Sequence, residues 1–310
     1  MADYIIEAED LNYFYPDGTQ ALQNMCLKIP KSRKIAILGS NGAGKSTLFL
    51  HLNGILKPKS GTVRYNGKAV SYDKKALQEL RKNVGIVFQD PDSQLFSASV
   101  YQEISFGPLN IGLSEQTVRE RVEQAMKATG ITELKDKPTH MLSYGQKKRV
   151  TIAGILAMEP EVLVCDEPTA WLDPKHAKQA VRLFDEISQN GTTVIMSTHD
   201  VDLAYSWADY VFVLSGGRVI GEGTPASVFR DDLLLHKADL DRPWLVDVYD
   251  VFAKKGCLSK TTPLPRDKQE LFALMLNHEV HGGEQEGYDN CTIRDARRER
   301  NKFLACSKGF

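Results

Sequence analysis

Gly39-Ser40-Asn41-Gly42-Ala43-Gly44-Lys45-Ser46 is the stretch that decides the fold of this chain. It follows the apolar run Lys34 to Leu38 and precedes the helical pattern Thr47 to Asn53. A strand that enters a glycine turn and then a helix aims successive backbone N–H groups, and the positive end of the helix dipole, at one point. The sequence therefore predicts an α/β fold with a phosphate-binding loop, and a nucleoside triphosphate as its ligand.

The last residues of this loop carry specific chemistry. Lys45 would reach the β- and γ-phosphates, and the Ser46 hydroxyl would complete the coordination shell of a Mg²⁺ ion. The residues predicted here to contact the nucleotide are Gly39, Ser40, Asn41, Gly42, Ala43, Gly44, Lys45, Ser46 and Thr47.

A pair of acidic residues ends the apolar run Val162 to Cys165. The run is typical of a buried strand, and open α/β sheets place their chemistry at the carboxyl ends of such strands. Asp166 is predicted to hold Mg²⁺ through water, and Glu167 to polarise the attacking water as general base. Taken alone, an apolar run followed by Asp-Glu is equally compatible with a solvated acidic pair at a strand end.

Further motifs stand in a fixed order around these two elements. Taken together, they resemble the adenine-stacking aromatic, the Q-loop, the signature, the D-loop and the switch histidine of ABC-transporter ATPases. The residues that carry this resemblance are, in the same order, Tyr15, Gln89, Leu142-Ser143-Tyr144-Gly145-Gln146, Asp173 and His199. No Asn-Lys-x-Asp motif for reading guanine is present, which favours ATP over GTP.

The resemblance is closest to the energy-coupling-factor ATPases of cobalt, nickel and vitamin importers, and most specifically to the cobalt type. It covers about residues 3 to 235 and is carried by Tyr15 to Leu22, Phe49 to Leu56, Gln89 to Phe96 and Leu142 to Arg149. It implies a P-loop NTPase fold of the ABC-ATPase type, with an antiparallel β-subdomain and a helical subdomain at about residues 97–160. Residues 1–235 would form the ATP-binding domain, and residues 236–310 a carboxyl-terminal extension, helical at first and then flexible.

The same resemblance implies roles for individual residues. Two copies would stack head to tail, so that each ATP lies between the phosphate loop of one copy and the signature of the other. Glu167, His199 and Gln89 would be catalytic, and Mg²⁺ would be held by Ser46, Gln89 and Asp166. The residues that join the loop in binding nucleotide would be Tyr15, Ser143, Gly145, Gln146 and Asp173.

Partners and location follow from the family as well. The segment after Gln89 is similar to the family's Q-helix, which contacts a transmembrane coupling subunit, and a substrate-binding membrane protein completes such importers. The chain would therefore lie peripherally on the cytoplasmic face of the cell membrane. The alternatives are an ATPase for nickel or a vitamin, a soluble ABC ATPase of DNA repair or translation, and a non-catalytic nucleotide-binding module.

Composition agrees with this assignment. Among the 310 residues the formal net charge is −1, which leaves no electrostatic footprint for nucleic acid. No apolar stretch approaches the roughly 20 residues needed to cross a bilayer, and Met1 to Tyr4 lacks a basic, apolar export signal. The basic run Gln146 to Arg149 is interpreted as a solvated helix face. A metal sensor built on His278, His281 and Cys291 is disfavoured, because their spacing matches no known site.

Two positions depart from the family pattern. Cys165 replaces an aliphatic residue before Asp166 and is expected to behave as a small hydrophobe. Trp171 stands in the D-loop where the family has a small residue. Its indole would either crowd the interface between two copies or point to solvent.

Overall fold

The chain folds into two β-sheets and a group of helices, and the computed structural model describes residues 4–256, 258 and 262–278. The strands are β1 Tyr4–Phe14, β2 Gln20–Pro30, β3 Lys34–Leu38, β4 Ser60–Tyr65, β5 Lys68–Ala69, β6 Val84–Val87, β7 Val162–Cys165, β8 Thr193–Ser197, β9 Tyr210–Ser215 and β10 Arg218–Gly223. The α-helices are α1 Lys45–Leu52, α2 Lys74–Asn83, α3 Val100–Asn110, α4 Glu115–Ala128, α5 Tyr144–Leu156, α6 Pro174–Gln189, α7 Val201–Trp207, α8 Pro225–Val228, α9 Asp232–Lys237, α10 Trp244–Lys254 and α11 Lys268–His278. Short 3-10 helices lie at Pro91–Ser93, Thr132–Leu134 and Thr139–Met141.

The smaller sheet is antiparallel, with the strand order β2-β1-β4-β5. Its long strands pair from Tyr4 opposite Pro30 to Phe14 opposite Gln20. The Pro16-Asp17-Gly18 turn joins them, where Gly18 takes a φ of 87° and the Asp17 carboxylate accepts a hydrogen bond from Thr19 N–H. The smaller sheet is therefore the antiparallel β-subdomain that the family resemblance implies.

The larger sheet carries the site. Its order is β10-β9-β3-β8-β7-β6, and all neighbours are parallel except β10 and β9. The residues of β6, β7 and β8 are all buried, as expected for parallel strands covered on both faces. Because the carboxyl ends of parallel strands meet at one edge, the phosphate loop, Gln89, Asp166 and His199 leave the sheet on the same side.

Helices α3, α4 and α5 form a separate layer with its own apolar cluster. Ser114 caps α4 by accepting a hydrogen bond from Thr117 N–H, and the stripe Val118, Val122, Ala125 and Met126 is buried as the sequence predicts. Asp173 caps α6 with Pro174 in its first turn, and Gly191 follows the helix at a φ of 94°. Both helices therefore begin at a side-chain cap.

Segments beyond residue 235 pack on the core of the larger sheet. Leu245 and Val246 of α10 and Leu271 of α11 are buried in the cluster that contains Phe184 and Tyr205. Helix α11 therefore docks on this chain's own core. Its start is fixed by the Asp267 carboxylate, which accepts hydrogen bonds from two N–H groups of the first turn.

The part of the carboxyl-terminal extension that is predicted to be flexible lies outside the described residues. In the part of the chain that the structure describes, no helix has both the length and the apolar character that a bilayer crossing requires.

Leu245→Ala tests whether α10 is a structural part of the nucleotide domain. Leu245 is 4% exposed, whereas Leu233 on α9 is 76% exposed. We expect Leu245→Ala to lower the free energy of unfolding by about 2–5 kcal/mol, because it leaves a cavity in the shared core. The matched control Leu233→Ala should stay within about 0.5 kcal/mol of the parent in denaturant unfolding. Equal effects of the two variants would show that α10 contributes nothing to this core.

Candidate active site

The phosphate loop is shaped by glycines for which no other residue fits. A Cβ at Gly39 would lie 2.3 Å from the Leu214 carbonyl oxygen, and one at Gly44 would lie 2.7 Å from that of Ala21. Both glycines take positive φ angles, 148° and 100°. The loop is therefore pressed between β9 and β2, with α1 starting directly after Gly44.

Lys45 lies inside the curve of this loop. Its side chain is buried, and its Nζ donates hydrogen bonds to the Gly39 and Ser40 carbonyl oxygens at 2.7 and 3.1 Å. Burial lowers the pKa of Lys45, and the charges of Glu167 and Asp166 act against that shift. The ammonium group thus sits between its own loop and the acidic pair, where a phosphate chain would meet it.

Tyr15 is anchored beside the loop. Its hydroxyl lies 3.0 Å from the Thr47 hydroxyl, and its ring packs edge-on against Tyr13 with a centroid distance of 5.2 Å. Tyr13 in turn packs against the buried His51 at 4.8 Å. An exposed aromatic ring is therefore held next to the first turn of α1, the place predicted for stacking on adenine.

Ser197 links Asp166 and Glu167 by hydrogen bonds and is a site residue that the sequence motifs did not indicate. Its hydroxyl accepts a hydrogen bond from Glu167 N–H at 2.9 Å and donates one to Asp166 Oδ1 at 2.5 Å. Ser197 is fully buried at the end of β8, and Glu167 takes a φ of 43°. A hydroxyl directly after the apolar run Val194 to Met196, on the strand beside the acidic strand, is the sequence signal that could have identified it.

Three predicted catalytic side chains meet at the Glu167 carboxylate. Oε2 accepts a hydrogen bond from Gln89 Nε2 at 3.0 Å, and Oε1 lies 3.3 Å from His199 Nδ1. Glu167 is only 9% exposed, whereas the His199 side chain is largely open to solvent. The structure thus brings together residues 78 and 32 positions apart in sequence. Their catalytic roles stay predictions.

The oxygen atoms at this edge suit Mg²⁺. The Asp166 carboxylate accepts a side-chain hydrogen bond on Oδ1. The side-chain amide of Gln89 donates its N–H to Glu167, so the Gln89 side-chain carbonyl oxygen is available. Ser46 adds an exposed hydroxyl in the first turn of α1. Carboxylate, amide and hydroxyl oxygens are the ligands that Mg²⁺ prefers, so the three residues predicted to hold it fit that ion chemically.

The signature residues form the start of α5. Ser143 Oγ accepts a hydrogen bond from Gln146 N–H, and Gln146 Oε1 accepts one from Ser143 N–H at 3.0 Å, a reciprocal capping box. Gly145 lies in the same first turn. Within the described residues, no hydrogen bond joins Ser143 or Gln146 to the phosphate loop of the same chain.

The interpretation of Gln146 to Arg149 as a solvated face is wrong. Lys148 is fully buried, and its Nζ donates hydrogen bonds to the Phe88 and Gln89 carbonyl oxygens at 2.8 and 2.7 Å. Arg149 donates to the Gly130 carbonyl oxygen at 2.8 Å, and Lys147 pairs with Asp92. Carbonyl groups just beyond the end of an edge strand need donors, and Lys148 supplies them.

The D-loop presents Trp171 to solvent. Its indole is 83% exposed, and its φ of 63° is a conformation that glycine adopts more easily. Asp173 follows as the cap of α6 and also contacts the His176 ring, and these hydrogen bonds lower the pKa of Asp173. Cys165 is fully buried in the core, where burial raises the pKa of its thiol to about 12, as expected of a small hydrophobe.

Comparison with known proteins gives the family. The sequence profile of the ABC transporter family matches residues 22–170. The energy-coupling factor transporter ATP-binding protein EcfA of Methanocaldococcus jannaschii is 50% identical over 252 residues, which cover 81% of this chain and 90% of that protein. EcfA3 of Clostridium perfringens is 50% identical over 256 residues, covering 82% and 90%. The chain belongs to the ATP-binding proteins of energy-coupling factor transporters.

Solved structures agree. The cbiO1 protein of Clostridium perfringens, part of the ABC transporter complex cbiONQ, superposes with a TM-score of 0.68 at 51% identity, covering 80% of this chain and 99% of that one. A dimeric ATP-binding cassette, MJ0796, in a post-hydrolysis state with ADP and Pi superposes with a TM-score of 0.66 at 25% identity, covering 71% and 98%. The predicted fold is confirmed, and the chain is an ABC-type ATPase that binds and hydrolyses ATP.

Ser197→Ala tests the hydroxyl that joins the acidic pair. The change leaves the buried Glu167 N–H and Asp166 Oδ1 without that partner. We expect the free energy of unfolding to fall by about 1–3 kcal/mol, the usual effect of leaving buried polar groups unpaired. The ATPase rate should fall with it. Ser206→Ala, whose hydroxyl donates only within α7, is the control. If Ser197→Ala keeps the stability and ATPase rate of the parent, the hydroxyl does not support the acidic pair.

Proposed function

We propose that this chain is the ATP-hydrolysing subunit of an energy-coupling factor importer for cobalt ions, working as a homodimer on the cytoplasmic face of the membrane. The observation that supports this proposal most directly is that Gln89 and His199 both contact the Glu167 carboxylate, beside Lys45 and Asp166. A solvated acidic pair needs no such partners. Cobalt as cargo rests on the sequence resemblance, because the site described here handles nucleotide only.

The residues take the following roles in this proposal. Loop N–H groups and Lys45 hold the β- and γ-phosphates, and Tyr15 stacks on adenine. Ser46, Gln89 and Asp166 would hold Mg²⁺, which would supply positive charge to the phosphate oxygens. Glu167 accepts the proton of the attacking water, with Gln89 and His199 orienting its carboxylate.

The second copy completes the site. Ser143 caps helix α5, and Gly145 and Gln146 lie in its first turn. A helix N-terminus favours anions through its free N–H groups and dipole. In the proposed dimer, these groups face the γ-phosphate bound to the partner. Asp173 and the exposed Trp171 lie in the segment that would approach that same interface. The dimeric relative with ADP and Pi supports this arrangement.

Glu167→Gln tests the proposed general base. We expect a loss of about 10² to 10⁴ in the ATPase rate with ATP binding retained, because an amide cannot accept the proton. An ATP-bound dimer should then accumulate in size-exclusion chromatography. Glu133→Gln, at an exposed position of the helical layer, is the matched control and should hydrolyse ATP at the parent rate. Near-parent turnover by Glu167→Gln would assign the base to another residue.

The proposed contact with the transmembrane subunit follows the Q-loop. Phe96 is 64% exposed and packs edge-on against the exposed Phe106 at 4.6 Å. Leu95 packs against the helical layer, and the Gln94 amide binds both Phe88 N–H and the Ile86 carbonyl oxygen. Gln94 and Leu95 therefore support the local fold, and Phe96 is the residue free to dock a partner helix.

Phe96→Ser separates an importer subunit from a soluble ATPase. We expect the ATPase rate of the isolated chain to stay near the parent value, while co-purification with membrane proteins and uptake of Co²⁺ both fail. Phe272→Ser on α11, where the ring is 54% exposed, is the control and should retain both. Full membrane recruitment of Phe96→Ser would contradict this docking surface. Uptake of Ni²⁺ or a vitamin instead of Co²⁺ would correct the cargo alone.

A further inference from the structure

Lys148 is a buried cation that the catalytic chemistry leaves unexplained. It lies in the second turn of α5 with a fully buried side chain, and burial lowers its pKa. Both of its hydrogen bonds run to backbone carbonyls, and within the described residues no ion pair joins it to a carboxylate. Nearby acidic groups, among them Asp166 and Glu167, oppose that shift of the pKa without forming an ion pair with Lys148. The direct polar contacts of its ammonium group are the two carbonyls.

The two carbonyls belong to the Q-loop at the point where β6 ends. Strand β6 is the edge of the larger sheet, and its last ladder partner is Cys165, opposite Val87. Phe88 and Gln89 lie beyond that ladder, so their carbonyls take donors from α5 instead. Lys148 supplies hydrogen bonds at 2.8 and 2.7 Å, and the Tyr144 hydroxyl donates to the Gln89 carbonyl at 3.0 Å.

These contacts leave Gln89 held from two sides. Tyr144 and Lys148 are four residues apart, hence on one face of α5, and both bind its main chain. On the other side, its amide donates to Glu167 Oε2 at 3.0 Å. Any displacement of α5 relative to the sheet therefore changes how the Gln89 amide meets the Glu167 carboxylate.

We propose that Lys148 is a positioning residue, which fixes the Gln89 main chain to the signature helix and so makes the contact between Gln89 and Glu167 depend on the position of that helix. This rests on the proposed function, in which the first turn of α5 binds the ATP of the partner copy. Occupation of the partner's site would then be transmitted through Lys148 to the catalytic carboxylate of the same chain. Tyr144 assists with a second, neutral donor.

Lys148→Met is the principal test, because methionine keeps the length of the side chain and removes its donors. We expect kcat for ATP hydrolysis to fall about 10- to 100-fold, the usual consequence of a misplaced catalytic group. KM should change less than about threefold, because the phosphate loop is untouched. The thermal midpoint should fall modestly, because the Phe88 and Gln89 carbonyls lose a donor while a buried charge is removed. A loss of rate measured well below that midpoint, on fully folded protein, is the signature of positioning.

Two comparisons make the result specific. Lys147→Met removes the neighbouring lysine, which pairs with Asp92 and makes no bond to the Gln89 carbonyl, and should keep kcat near the parent value. In a Gln89→Ala background, Lys148→Met should cause no further loss, because both changes act through one group. Multiplicative losses in the double variant, or parent-like kcat in Lys148→Met, would overturn the proposal.

Further variants cover a failure of Lys148→Met to fold. Lys148→Gln keeps one donor group, and Tyr144→Phe removes only the hydroxyl, so each should lower kcat about fivefold, as for one neutral hydrogen bond. Parent-like kcat in both would again overturn the inference. Failure of the proposed function looks different: the parent chain would then lack ATPase activity, or Glu167→Gln would retain it.

Discussion

The Glu167 carboxylate is the group on which the rest of the site depends. It is nearly buried, it receives the Gln89 amide and the His199 ring, and its own N–H is bound by Ser197. These partners come from β6 and β8, the two strands that flank β7 in the parallel sheet. A single residue at the end of β7 therefore needs β6 and β8 in register on either side of it. The order of the strands thus matters to the chemistry as much as the identity of the acid.

Two residues between β7 and α6 have an unusual backbone conformation. Glu167 and Trp171 both take positive φ angles, 43° and 63°, within the segment that connects β7 to α6. Non-glycine residues occupy that region at a cost of about 1–2 kcal/mol each. For Glu167 the bond from its N–H to Ser197 and the two contacts of its carboxylate offset the cost. The indole of Trp171 is exposed, so burial in the core of this chain does not offset the cost of its positive φ angle.

Much of the fold was predictable because local signals and sheet topology agree. The glycines of the phosphate loop, the Ser114 and Asp173 caps and the stripe on α4 are local features, and each appears where its residues predict. The approach of Gln89, Asp166, Glu167 and His199 follows from one rule about the carboxyl ends of parallel strands. The position of α10 within the predicted helical extension was not predicted, because its apolar residues pack against a core formed by distant parts of the chain.

Polar residues were harder to place than apolar ones. Lys148 and Lys147 are adjacent and chemically identical in sequence, yet one is buried on two carbonyls and the other pairs with an acid at the surface. Ser197 and Ser206 are likewise the same residue type, yet Ser197 is buried and binds the Glu167 N–H, whereas Ser206 is exposed and bonds within its own helix. What separates the members of each pair is whether a neighbouring backbone group lacks a partner, and that depends on where strands end in three dimensions. The requirement that buried N–H and carbonyl groups be paired therefore decides where this chain uses its polar side chains, and the active site lies where several such requirements coincide.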